Sequence, residues 1–328
     1  MRQGEVASKG SWTGNPLGGV KAPEPLILPD LATKFARTAA RLQVRSAGHP
    51  MQAWLRFMAR LARAQHDVAV ALGPLPGPGL AGVEQAVAAR MPPYAADGHR
   101  RDPAWRDGLT TLLDRFTVGD AACQTPVEAA SDEAIWDDTL PAPALAAIAG
   151  LRDRGEASVE AFADGFLHGG VDDADAGAVL YVAAALQVYF TRLAAGAHAP
   201  SLRLLPQRGL CPCCGSTPVA GLITGAGQAP GARYLHCSLC GTAWNHVRAA
   251  CITCGESGKL TLQGIEDDDG AVKAEVCGAC RTYAKMLYQA RDMQLDPVAD
   301  DLATLGLDIL MAEAGWSRHA TNPLLLIG

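Results

Sequence analysis

The chain has 328 residues, 49% of them hydrophobic and 19% charged, with a formal net charge of −6. That length allows about two domains and a large core, and the apolar content excludes a disordered tail. The acidic balance argues against a protein built to coat nucleic acid, because phosphate binding needs a local excess of Lys and Arg.

Residues 1 to 29 are rich in Gly and Pro and read as a flexible arm. The opening MRQGEVASKGSWTGNPLGG lacks the charged start, apolar run and cleavage site of a secretory signal. From Asp30 to about Ala199 the chain is Ala- and Leu-rich with apolar residues at three- and four-residue spacing, which predicts helices. One starts at Pro50 with Trp54, Leu55, Met58, Leu61 and Ala62 on a face, and stops at GPLPGPG, which no helix can continue through. Others are expected over Pro103–Phe116, with Asp102 as cap, over Val127–Leu140, over Leu145–Gly165 and over Asp173–Ala195. The last is apolar nearly all round, which suits the central helix of a bundle. Its apolar part, Ala176 to Phe190, is shorter than a membrane span and lies between Asp175 and Arg192.

Near residue 200 the helical composition gives way to Gly, Cys, Thr and short alternating runs. STPVAGLI, ARYLHC, KLTLQGI and AVKAEVC read as strands, and Asp267, Asp268, Asp269 and Gly270 as a turn between two of them. Helical character returns in RTYAKMLYQARDM and PVADDLATLGLDILMAEAGW, and the apolar tail NPLLLIG is expected to pack on the core.

Four Cys-x-x-Cys pairs lie in this second half: Cys211/Cys214, Cys237/Cys240, Cys251/Cys254 and Cys277/Cys280. The first and third pairs are forty residues apart, as are the second and fourth, and twenty-two residues separate the pairs within each half. This is a duplicated unit, each copy supplying the four thiolates of one tetrahedral metal site. In a long chain without a secretory signal, a reducing cytoplasm is expected, where paired cysteines hold metal rather than form disulfides. Thiolates select zinc or iron.

The repeat favours sequential sites, Cys211–Cys214–Cys237–Cys240 and Cys251–Cys254–Cys277–Cys280. A cross-braced arrangement stays open. Three pairs are followed by a Gly (Gly215, Gly241, Gly255) able to take positive φ, and the fourth by Arg281. Cys213 reads as a small filler, Cys123 as a buried small residue, His236 and His246 as neighbours of the site rather than ligands, and Trp244 as a cover over it. His49 and His66 are expected to be surface or core residues. No GxSxG, Walker loop, HExxH or GxGxxG stands in a context that supports it, so no catalytic residues are expected.

The segments RYLHCSLCGTAW, CITCGESGKL, KAEVCGACRTYAKMLYQ, DPVADDLATLGLDILMAEAGW and NPLLL resemble the formate dehydrogenase accessory protein family, FdhE, over nearly all of residues 208 to 326. Over the first half the resemblance rests on GHPMQAWLRFMARLARAQ and on helical, Ala-rich character. It implies an α+β multidomain fold, in which an N-terminal all-α domain precedes two small rubredoxin-like or zinc-ribbon knuckle domains and C-terminal helices. The expected divisions are 1–29, 30–200, 201–249 and 250–328.

The resemblance further implies a cytoplasmic maturation factor, not an enzyme, that contacts the formate dehydrogenase catalytic subunit before export. It implies iron at two tetrathiolate sites, with zinc the alternative, and all eight paired cysteines carry over as ligands. The chain departs from the family at Cys213 and Gly241 without losing a ligand. A rubredoxin-like electron carrier is the second reading. A zinc-ribbon nucleic-acid binder is the third, disfavoured because Asp and Glu outnumber Lys and Arg from Ser201 onward. No membrane span is expected, and self-association stays open.

Overall fold

The computed structural model describes residues 22–118, 139–172, 175–227, 229–265 and 269–325. Among the described residues, the first half holds seven α-helices: α1 Lys34–Ser46, α2 Gln52–Ala71, α3 Leu80–Ala88, α4 Ala104–Val118, α5 Ala142–Arg152, α6 Glu156–Leu167 and α7 Ala176–Ala195. α2 ends just before the Pro/Gly run and buries Leu55, Met58, Leu61 and Ala62, with Trp54 half-buried. The expected cap of α4 forms, since Ala104 N donates to Asp102 Oδ1 at 2.9 Å.

α7 is the axis of the helical half. An apolar surface on every side lets α2, α4, α5 and α6 pack around it, and Leu180, Val182, Leu186 and Phe190 are all buried. It runs twenty residues, further than its apolar stretch suggests, so among the described residues it alone reaches membrane-spanning length and apolarity. Yet 83% of its most apolar window is buried inside the protein.

The single helix expected over Leu145–Gly165 is two. The chain breaks at Asp153–Gly155, where Gly155 is extended and begins α6, and Arg154 turns to pair with Asp175 beside the start of α7. Glu160 ties α6 to α4 by accepting from Trp105 Nε1 at 2.7 Å and pairing with Arg101 and Arg106. The expected Val127–Leu140 helix and Cys123 fall on residues outside those described, apart from 139–140.

An eight-stranded sheet follows: β1 Leu26–Ile27, β2 Pro218–Ile223, β3 Arg233–Cys237, β4 Ala243–Asn245, β5 Leu260–Gln263, β6 Val272–Cys277, β7 Thr282–Tyr288 and β8 Ser317–Arg318. Its order is β1-β4-β3-β2-β7-β6-β5, with β8 beside β7. The sequence repeat is visible here, because β2-β3-β4 and β5-β6-β7 are antiparallel units of the same order, joined where β2 runs parallel to β7. At that junction Gly221 faces Met286, and a Cβ there would lie 2.5 Å from the Met286 sulfur.

Two expectations change. β7 was expected to be helical, but it is a strand buried on both faces, so its apolar run carries no alternation to mark it. The end of the expected arm is also docked: Leu26 is buried and pairs with Trp244 across β1 and β4. The expected strands over 218–223, 233–237, 260–263 and 272–277 all form. Of the turn expected before β6, Asp267 and Asp268 lie outside the described residues; in the rest, Gly270 has φ +67° and Asp269 Oδ1 accepts from Ala271 N. The tail packs as expected, with Leu324 and Leu325 buried.

Short helices α8 Ala299–Ala303 and α9 Leu305–Glu313 close the chain. α8 carries two wholly buried carboxylates that reach opposite ways. Asp300 receives Arg41 of α1 at 2.8 Å, while Asp301 and Asp308 receive Lys285 of β7 at 3.2 and 2.6 Å. Asp301 also accepts from Asn322 Nδ2 at 2.9 Å and pairs with Arg318. This charge network bolts the helical half to the sheet.

Removing one partner of such a buried set strands the others in low dielectric at a cost of about 3–5 kcal/mol. Lys285→Met is therefore expected to lower the free energy of unfolding by about that amount in a urea titration. A change under about 1 kcal/mol would show that Asp301 and Asp308 do not depend on the ammonium.

Candidate metal centres

Each Cys-x-x-Cys pair sits on a tight turn whose backbone closes on itself. Gly215 N donates to Cys211 O, Gly255 N to Cys251 O and Arg281 N to Cys277 O, at 2.9 to 3.0 Å. The residue after each second cysteine has positive φ: +80° at Gly215, +72° at Gly241, +78° at Gly255 and +59° at Arg281. The fourth turn thus matches the other three, although a non-glycine residue there costs about 1–2 kcal/mol. Arg281 repays part of this with its side chain, which stacks 4.1 Å over Trp316 and donates to Gly315 O.

The turns meet in the sequential grouping. Cys211, Cys214, Cys237 and Cys240 form one cluster and Cys251, Cys254, Cys277 and Cys280 another, with the four sulfurs of each within 4.8 Å of one another. The nearest pairs are Cys214–Cys237 at 3.4 Å, Cys211–Cys240 at 3.6 Å, Cys251–Cys280 at 3.7 Å and Cys254–Cys277 at 3.8 Å. A regular tetrahedron with metal–sulfur bonds of about 2.3 Å has edges of about 3.8 Å, so both clusters have the dimensions of a tetrathiolate cage.

Electrostatics points the same way. Burial pushes the thiols of Cys211, Cys237 and Cys240 well up. At Cys214 burial also opposes charge, but hydrogen bonds from the other three sulfurs and Ser216 outweigh it and hold the thiol well down. In the second cluster, hydrogen bonds from Thr282 outweigh burial and bring Cys280 down to about 7. Four such sulfurs share one negative charge readily and carry four only around a cation. Amides add to this stabilisation, with Leu239 N and Cys240 N aimed at Cys237 Sγ and Thr253 N at Cys251 Sγ.

The first cluster is clamped by the helical half. Tyr94 N and Ala96 N donate to the carbonyls of Cys213 and Cys214 at 3.0 and 2.8 Å. Gln65 of α2 donates to Gln187 of α7, which donates in turn to Ser238 O inside the second turn at 2.8 Å. A Cβ at Gly241 would collide with the aliphatic chain of Lys34 of α1. Cys213 is buried outside the sulfur cluster, and Trp244 is buried and donates to Arg208 O, three residues before Cys211.

Neither His236 nor His246 joins a cluster. Burial, with Arg37 and Lys34 beside it, lowers His236 to about 4, and burial beside Arg233 does the same to His246. His49 bonds the carbonyl of Ala303, away from both clusters.

Sequence reasoning missed Arg233, which adds a buried tie between the two repeats beside the β2–β7 pairing. Wholly buried in β3, it pairs with Glu275 of β6 at 2.6 Å and donates to His246 Nδ1 at 2.8 Å and to the carbonyls of Val247 and Ala250. It therefore holds the link between the repeats against both of them. An Arg directly before the apolar YLHC of a predicted strand was the available signal.

A helical bundle joined to a sheet with twin four-cysteine clusters defines an all-cysteine knuckle protein with a helical scaffold. Family models described as FdhE, N-terminal (residues 23–135 and 118–205), FdhE, central domain (210–248) and FdhE, C-terminal domain (249–325) match this chain. It is 36% identical over 305 residues to a Protein FdhE homolog of Edwardsiella ictaluri, covering 93% of this chain and 92% of that one. It is 33% identical over 313 residues to Protein FdhE of Escherichia coli, covering 93% and 92%. The crystal structure of the FdhE protein from Pseudomonas aeruginosa superposes with a TM-score of 0.75 at 32% identity, over 93% of this chain and 100% of that one. The chain belongs to the FdhE family.

Arg281 gives the first prediction from this geometry. Arg281→Ala keeps the left-handed strain and loses the stacking, so it is expected to destabilise by about 1 kcal/mol. Arg281→Gly loses the stacking but relieves the strain, and is expected to stay within about 0.5 kcal/mol of the parent. Thermal unfolding of the two variants checks the order, and equal losses would show that the turn is unstrained.

His246 gives the second. Its folded pKa lies below its ordinary value of 6.5, so unfolding takes up protons between about pH 4 and 6.5 and its contribution to stability, complete above 6.5, is lost as pH falls. His246→Gln keeps an acceptor for Arg233 without titrating. It is expected to flatten the fall in urea midpoint between about pH 6.5 and 4.5 relative to the parent, and parallel curves would remove His246 as a cause.

Proposed function

We propose that this chain is a cytoplasmic maturation factor for formate dehydrogenase that binds the immature catalytic subunit and acts without catalysing a reaction of its own. The observation that carries this reading is family membership across nearly the whole chain, helical half and both clusters included. Cys211, Cys214, Cys237 and Cys240 hold one metal ion and Cys251, Cys254, Cys277 and Cys280 a second. Iron is the first assignment and zinc the alternative, since the same four-sulfur cage accepts both. In each unit the metal crosslinks two turns distant in sequence, which makes metal binding part of folding. A helical region over 30–200 and knuckle units over 201–249 and 250–328 are the proposed divisions.

The test is retention of a formate dehydrogenase catalytic subunit by the immobilised full chain, purified without oxygen. Retention at least about tenfold above a resin carrying an unrelated protein is expected. No retention, with metal content verified in the same sample, would sink the reading.

The exposure of Cys254 favours a second reading as a rubredoxin-like electron carrier, because one edge of a cage then lies open to a redox partner. An iron-loaded protein whose colour bleaches and returns with reductant and oxidant would support it. A preparation holding only zinc in both clusters would end it.

A further inference from the structure

The two clusters share one plan and differ sharply in enclosure. In the first, none of the four cysteines is more than 3% exposed. Its turns are gripped by the 94–96 segment, by Gln187 of α7 and by Lys34 of α1. Anything bound there leaves only when packing between the helical half and the sheet opens, a sub-global event.

In the second cluster Cys251 and Cys277 are buried, but Cys280 is half-buried and Cys254 is exposed. The rim around them is exposed as well: Thr253, Gly255, Gly278, Ala279 and Arg281 all face solvent. Part of this rim is nonetheless tied to the fold, with Thr253 Oγ1 2.9 Å from Thr282 Oγ1 and 2.7 Å from His319 Nδ1. Cys280 Sγ is held 3.0 Å from Thr282 Oγ1. One face of this cage is therefore fixed to the fold while the Cys254 edge borders water.

We propose that the second cluster is the exchangeable metal site of the pair, and that it opens at Cys254 to an incoming thiolate. This rests on the reading that both clusters hold metal. The exchange is a ligand substitution in which the incoming sulfur forms its bond to the metal as Cys254 Sγ gives up its own. Cys254 leaves as a thiolate and takes a proton from water, and no electron moves. The first cluster, enclosed on every side, keeps its metal and serves as the structural cage. A partner bearing an accessible cysteine is the class of ligand the open edge fits, because a soft single-atom donor matches the sulfur it displaces.

The experiment uses the full chain loaded with two equivalents of zinc and challenged with excess chromophoric chelator, with and without 2-mercaptoethanol as the probe thiolate. Release is expected in two phases of equal amplitude, the faster by at least about tenfold, with the thiol accelerating only the fast phase. N-ethylmaleimide labelling after the fast phase, mapped by mass spectrometry, is expected on Cys251, Cys254, Cys277 and Cys280 of the unaltered protein, so the assignment does not depend on a variant that folds poorly. Cys254→Ser is expected to quicken the fast phase and leave the slow one unchanged. A single rate for both equivalents, or first labelling on the Cys211–Cys240 set, would overturn the proposal. Loading of fewer than two equivalents would overturn it together with the metal reading beneath it.

Discussion

Four sulfurs brought within 4.8 Å of one another, twice over, are the constraint around which the second half of this chain is organised. Four thiolates at that spacing repel, and burial raises the cost, so the full charge of each cluster suits a shared cation. Each cage needs two turns of one shape, and all four turns reach it by placing the residue after the second cysteine at positive φ. Glycine does this freely in three cases. In the fourth, Arg281 carries the strain and uses its side chain to pin Trp316 and the chain end.

The repeat makes two such cages from one pattern, and the sheet converts the repeat into a fixed spatial relation. Strands of equal order lie side by side, joined through the parallel contact at Gly221 and Met286 and by Arg233, which reaches from β3 to Glu275 and to the link between the units. Buried polar contacts then attach the helical half, through Gln65, Gln187 and Ser238 at one point and through Arg41, Asp300, Asp301 and Lys285 at another. Such contacts specify position more than they add stability, since each charge must recover the hydration it gave up. The scaffold thereby presents one cysteine cluster deep in the body and the other at its surface.

Residue spacing by itself determined the eight cysteines, their division into two repeats, the helical character of the first half and four of the strands, because turns with fixed ligand spacing and segments with regular apolar periods are local properties. It also marked α7 as central, since a helix apolar on all sides has to be surrounded. Tertiary structure alone decided the rest. β7 escaped notice because a strand covered on both faces has no alternation, and Lys285 in its middle resembles a solvent-exposed residue until Asp301 and Asp308 are brought against it. The sequential grouping was favoured by the repeat and chosen by strand pairing. The unequal exposure of the two cages was invisible in the sequence, because the units repeat one cysteine pattern and differ in what packs on them: helices, a glutamine relay and a lysine chain on the first, and water along one edge of the second.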